Sequence, residues 1–106
     1  MTRDPLSIEP LTGPAIEPAI PELARLRIAV FRDWPYLYEG DAAYEARYLA
    51  RYVETPGALV VLAREGGHIV GAATGLPLRH EEAAFRAPLE GAGYRAEELF
   101  YFGESV

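Results

Sequence analysis

The chain has 106 residues, a net charge of −6 at pH 7, 50% hydrophobic residues and 25% charged residues. This length can bury one hydrophobic core, and the apolar share excludes a disordered or low-complexity chain. The lack of cysteine excludes disulfides, thiolate nucleophiles and cysteine-ligated metals, and the acidic balance disfavours nucleic acid and favours a cationic partner such as an amine.

The first part of the sequence predicts a short strand followed by a helix. Four prolines in the first 20 residues exclude a long helix there. Leu6, Ile8 and Leu11 indicate a short strand at or near a sheet edge. Pro21 suits the first turn of a helix, which should end before Pro35. The apolar residues of this helix recur on one face: Leu23, Leu26, Val30, Phe31 and Trp34.

A second helix and a β-hairpin follow the aromatic loop 34–40. Asp41 is a good N-cap, and tyrosine recurs at every fourth position after it, which is more typical of a core than of a site: Tyr44, Tyr48 and Tyr52. Residues 58–63 and 68–76 are apolar runs that flank a Gly-Gly turn and predict a hairpin. Because the first run is continuously apolar, we expect this strand to be buried on both faces and covered by helices.

The last part of the sequence predicts a polar insert and a final strand. The insert, residues 77–98, contains a helix from Glu81 to Phe85 or Leu89. The strand follows over residues 99–106. Strict alternation along it places two sets of side chains on opposite faces: Phe100, Phe102, Glu104 and Val106 on one, and Tyr101, Gly103 and Ser105 on the other.

The element order and several local stretches resemble the first half of the GNAT family of N-acetyltransferases. The most specific stretch is FRDWPYLYEG, residues 31–40, and others carry the likeness along most of the chain: residues 26–30, 44–49, 69–72 and 100–106. The expected fold class is therefore α+β (α/β mixed), a partial GNAT-like fold. It has a central, mostly antiparallel sheet with helices packed on it. Residues 1–106 are expected to form a single GNAT-like N-terminal domain, which is the acceptor side of the enzyme.

The resemblance does not extend to the family's cofactor signature. In GNAT proteins an Arg/Gln-x-x-Gly-x-Gly/Ala segment follows the fourth strand and cradles the coenzyme A pyrophosphate. This sequence has no such segment, so acetyl-CoA is implied as co-substrate but is not expected to bind this chain alone. Two alternatives stay open. The chain is a fragment of an acetyltransferase, truncated before the acetyl-CoA-binding motif, which we favour, or it is a natural half-domain for self-association or protein binding.

The resemblance also implies site residues. Glu104, an ionisable group in an otherwise apolar strand, is implied as the general base, although it could instead lie on the solvated side of an edge strand. The fourth-strand backbone at Val106 is implied as a cofactor contact. Six residues are implied to line the acceptor side, where an aromatic wall and carboxylates suit an ammonium group: Arg32, Asp33, Trp34, Tyr36, Tyr38 and Glu39. Trp34 fits the apolar face of its helix equally well.

The expected partners follow from the same features. The implied acetyl acceptor is a small amine or a protein amino group. The open strand Leu99–Val106 predicts a homodimer or larger assembly, because an unpaired apolar edge invites another strand. No apolar run approaches the roughly 20 residues of a membrane span, and the first residues lack a signal-peptide pattern, which predicts a cytoplasmic protein without a membrane partner. His68 and His80 are too far apart to suggest a metal site.

Overall fold

The computed structural model describes residues 5–33 and 35–106, which form one four-stranded antiparallel sheet with helices packed on it. The strands run in the order of the chain: β1 (Leu6–Leu11), β2 (Leu59–Glu65), β3 (His68–Pro77) and β4 (Phe100–Ser105). The helices are α1 (Ile20–Arg32), α2 (Ala42–Glu54) and α3 (Ala83–Gly91). Short 3-10 segments cover Gly13–Ala19, Leu78–His80 and Ala96–Glu98. The predicted α+β class and antiparallel sheet are confirmed.

The local signals for α2 and the hairpin act as the sequence predicts. The Asp41 carboxylate accepts hydrogen bonds from the backbone N–H of Ala43 at 2.7 Å and of Tyr44 at 3.3 Å, so it caps the start of α2. Gly66 and Gly67 have φ of 59° and 84°, and these left-handed conformations allow the tight turn between β2 and β3. β1 pairs only with β2 in the described sheet, which confirms the predicted edge strand.

The core lies on one face of the sheet. Val60 and Leu62 of β2 are fully buried, whereas Val61 between them is only half-buried. The buried pair packs in one cluster with residues of the helices, including Leu23 of α1 and Leu49 of α2. The expectation that β2 is buried on both faces is therefore wrong. The helices α1 and α2 and the 3-10 segment Gly13–Ala19 all pack into this single cluster, so they cover only one face of the sheet.

A β-bulge in β4 changes which side chains face the helices. Thr74 pairs with Glu104, but the next residue of β3, Gly75, pairs with Phe102, so Gly103 is an extra residue in β4. Strict alternation is broken at this point. Glu104 therefore lies on the helix-covered face and Phe102 on the opposite one, so the predicted common face for these two residues is wrong.

The face of the sheet opposite α1 and α2 is apolar and exposed. We call it the open sheet face, and its larger side chains come from three strands: Leu6, Ile8, Val61, Phe100 and Phe102. Leu6, Ile8 and Phe102 are 61%, 63% and 81% exposed. Large apolar patches on a protein surface mark contact regions.

Candidate functional site

A cleft of about 540 Å³ opens between α1, α2, the loop that joins them and the bulge in β4. Five aromatic side chains form its walls: Phe31, Tyr36, Tyr38, Tyr44 and Tyr48. Three charged side chains lie among them: Arg27 from α1, Glu45 from α2 and Glu104 from β4. The cleft therefore combines an aromatic wall with one positive and two negative charges.

The three charged residues, which we call the charge cluster, join three elements of the fold. Arg27 Nε donates to Glu45 Oε2 at 2.5 Å, and Arg27 Nη1 forms an ion pair with Glu104 Oε2. Arg27 is 6% exposed and Glu45 is 0% exposed. The guanidinium also lies 4.6 Å from the centroid of the Tyr48 ring. Because both carboxylates depend on one buried cation, the cluster fixes Glu104 relative to α1 and α2.

Two tyrosine hydroxyls complete the polar surface. Tyr38 donates to Glu45 Oε1 at 2.8 Å, and this hydrogen bond raises the pKa of the Tyr38 phenol. The Tyr48 hydroxyl lies 3.5 Å from Glu104 Oε1 and 3.4 Å from the Tyr52 hydroxyl. Burial, with a further contribution from Tyr52, raises the pKa of Tyr48. Both phenols in contact with the cluster therefore stay protonated at neutral pH and can donate hydrogen bonds.

Glycine at position 103 is what lets Glu104 reach the cleft. A Cβ on Gly103 would lie 2.9 Å from Thr74 Oγ1 and 3.0 Å from the Tyr52 hydroxyl, closer than such contacts normally are. The bare backbone at this position permits the bulge to pack against β3 and α2. The bulge then presents Glu104 to Arg27.

The loop between α1 and α2 brings two of the predicted aromatic residues to the cleft. Tyr38 N–H donates to the carbonyl oxygen of Phe31 at 2.8 Å, which folds the loop back on the end of α1. Leu37 has φ of 50°, in the left-handed region that leucine rarely adopts. This turn separates Tyr36 from Tyr38, and both side chains line the cleft.

The predicted site residues divide into three groups. Tyr36, Tyr38 and Glu104 meet in the cleft. Three others are exposed and do not line it: Arg32, Asp33 and Glu39. Trp34 lies outside the described residues. Glu104 stands in an otherwise apolar strand, but its surroundings are polar, because Arg27 and Tyr48 reach it from the helices.

Val106 stands apart from the cleft. Its backbone N–H donates to the Ala72 carbonyl at 2.8 Å, and its own carbonyl accepts from Ala72 N–H at 2.9 Å. The side chain packs against the hydrophobic core. Its backbone groups thus continue the pairing with β3, and a cofactor contact at Val106 stays a prediction.

Sequence reasoning missed Arg27 and Glu45, although a signal for them exists. Arg27 stands four residues after Leu23 on the buried face of α1, and Glu45 stands four residues before Leu49 on the buried face of α2. Opposite charges on the core-facing sides of two neighbouring helices indicate a buried ion pair. The tyrosines also differ from expectation, since Tyr52 is in the core but Tyr44 is 52% exposed and lines the cleft.

The described residues do not fit the pyrophosphate of coenzyme A. A pyrophosphate needs free backbone N–H groups at a helix start without negative side chains. Glu22 lies in the first turn of α1, the Asp41 carboxylate occupies the start of α2, and Glu82 precedes α3. Among residues 5–33 and 35–106 there is also no cluster of acidic and histidine side chains arranged to hold a metal ion. No helix in the same part of the chain is long and apolar enough to cross a bilayer.

Comparisons with protein-family models, with curated proteins and with solved structures gave no match. The function of the chain is therefore inferred from the chemistry of the cleft. The cleft carries two carboxylates against one guanidinium, and aromatic side chains form its walls.

Proposed function

We propose that the chain is a GNAT-like, acceptor-binding portion of an acetyl-CoA-dependent N-acetyltransferase, and that the cleft takes a protonated primary amine. The observation that carries this proposal is the pair of carboxylates, Glu45 and Glu104, that share one buried guanidinium beneath aromatic walls. One further positive charge would balance the cluster. An ammonium group supplies that charge and also interacts favourably with tyrosine and phenylalanine rings. The acceptor is a small amine or a protein amino group.

In this proposal Glu104 binds the ammonium group and takes its proton. Glu104 Oε2 is buried against Arg27, and the side chain as a whole is 26% exposed. Oε1, which faces the Tyr48 hydroxyl, is therefore the oxygen that meets the acceptor. The ammonium group becomes nucleophilic only when it loses a proton, so a base must lie within hydrogen-bond distance of it. Arg27 orients Glu104, and Tyr38 holds Glu45 in place. Because the described residues do not fit coenzyme A, no step of acetyl transfer is assigned to them.

The proposal predicts that the chain binds a simple amine through Glu104. Propylamine added to the ¹⁵N-labelled chain at neutral pH should shift the amide resonances of Gly103 and Glu104, whereas the uncharged 1-propanol should not. Glu104→Gln removes the charge and should weaken propylamine binding by about tenfold or more, since hydrogen bonds to charged groups contribute about 1.5–3 kcal/mol.

Glu97→Gln is the matched control, because Glu97 is an exposed glutamate outside both the cleft and the core. It should bind propylamine as the unsubstituted chain does, and circular dichroism checks that both variants are folded. Equal shifts with propylamine and 1-propanol, or an unchanged affinity in Glu104→Gln, would contradict the proposal.

The open sheet face supports a second proposal, that the chain associates with a second copy of itself. The chain exposes 6995 Å², against about 5,900 Å² for a typical folded monomer of its mass. The chain thus exposes about 1,100 Å² more than is typical, and Leu6, Ile8 and Phe102 on the open sheet face contribute to this surface. β4 is also an edge of the described sheet and can pair with another strand.

Self-association predicts a concentration-dependent dimer that depends on the open sheet face. Sedimentation equilibrium should show a dimer for the unsubstituted chain and a monomer for Phe102→Ser, because Phe102 is 81% exposed on that face. Phe85→Ser is the matched control, since Phe85 is 47% exposed but lies on α3. This variant should remain a dimer. A monomer for the unsubstituted chain at high concentration argues against the proposal.

A further inference from the structure

A second, smaller cavity of about 320 Å³ adjoins the cleft. Four residues line both cavities: Tyr44, Tyr48, Gly103 and Glu104. The cavities therefore meet at these residues, and Phe31 of α1 lines the first while Phe85 of α3 lines the second. A ligand held at Glu104 is next to both cavities.

The charges deep in the second cavity are already paired with each other. Arg51 Nη2 donates to Glu81 Oε1 at 2.9 Å, and the Glu81 side chain is only 4% exposed. The Arg51 guanidinium also lies 5.9 Å from the centroid of the Tyr48 ring. Glu82, which is exposed, stands at the rim. The buried Glu81 carboxylate therefore already has its counter-ion.

Four aromatic side chains also line the second cavity: Tyr44, Tyr48, Phe85 and Tyr101. The rings of Phe85 and Tyr101 have centroids 5.6 Å apart, and Phe85 is 47% exposed toward solvent. Tyr44, which is 52% exposed, contributes to both cavities. An aromatic group of a ligand stacks favourably on such rings and removes the exposed surface of the rings from water. A flat aromatic group fits against the rings of Phe85 and Tyr101.

We infer that the acceptor is an elongated primary amine, whose ammonium meets Glu104 in the cleft and whose aromatic group lies against Phe85 and Tyr101 in the second cavity. This inference rests on the proposed function and names the class of amine. Phe85 and Tyr101 are then specificity-determining residues that do not touch the reacting nitrogen.

Calorimetric titration with 2-phenylethylamine and with propylamine tests this inference. We expect 2-phenylethylamine to bind the full chain about tenfold more tightly than propylamine, because stacking and burial of its ring make the binding free energy more favourable. Phe85→Ala should abolish most of this preference and leave propylamine binding unchanged. Tyr94→Ala is the control, because Tyr94 is 58% exposed and lines neither cavity. It should keep the full preference.

The other outcomes separate the inference from the proposed function. If both amines bind the unsubstituted chain equally, the inference is overturned while the proposed function stands. If the preference survives Phe85→Ala but is lost in Tyr36→Ala, the ring lies in the first cleft and the inference is likewise overturned. If neither amine binds, both the inference and the proposed function fail.

Discussion

Replacing Arg27 by methionine is expected to lower the free energy of unfolding by about 3–5 kcal/mol. Methionine keeps an unbranched side chain in the space but removes the charge. Glu45, which is 0% exposed, then keeps its carboxylate without its buried cation, and Glu104 loses its partner as well. An uncompensated buried charge is among the most destabilising changes in a folded protein.

Urea denaturation measures this effect, and two further variants sharpen it. Arg25→Met changes an exposed arginine of the same helix and should alter stability by about 0.5 kcal/mol or less. Arg27→Met combined with Glu45→Met removes both members of the buried pair and should regain most of the loss. A decrease below about 1 kcal/mol in Arg27→Met would show that the charge cluster does not hold these elements together.

Two neighbouring substitutions in β2 should differ widely in their effects. Leu62→Ala is expected to lower the free energy of unfolding by about 2–5 kcal/mol, because Leu62 is fully buried beneath the helices. Val61→Ala should cost about 1 kcal/mol or less, since this half-buried side chain lies on the open sheet face. Both residues belong to the same apolar run, so the difference between their losses in free energy of unfolding reports which face of the sheet is covered.

The comparison is made by urea denaturation at a protein concentration at which the chain sediments as a monomer. Under that condition the open sheet face is not covered by a second copy of the chain. Similar losses in the two variants would mean that both faces are buried within one chain. That result would restore the two-sided core that the apolar run suggested and refute the one-sided core of the structure.

Much of the fold could be predicted because its signals are local. Asp41 caps the helix that directly follows it, and Gly66 and Gly67 form the turn between strands that are adjacent in the chain. In each case the residues that decide the structure lie within a few positions of each other. Propensity and turn chemistry are therefore sufficient to place these elements.

The charge cluster and the bulge depend on contacts between distant parts of the chain. Arg27 is 18 residues from Glu45, and the pair forms only when α1 and α2 pack together. The face that Glu104 occupies is decided by the extra residue at Gly103, which is defined by the pairing of β4 with β3. Alternation along β4 alone therefore gives the wrong face for this side chain. The site is harder to predict than the fold for this reason.

A structure of the chain with propylamine bound would decide whether the cleft is an amine site. The ammonium nitrogen should lie within hydrogen-bond distance of Glu104 Oε1, about 2.7–3.2 Å, with the alkyl chain against the aromatic walls. Arg27 should keep its contacts with Glu45 and Glu104. An amine bound elsewhere, or bound in the cleft with its nitrogen away from Glu104, would contradict the assignment of Glu104 as the group that receives the acceptor.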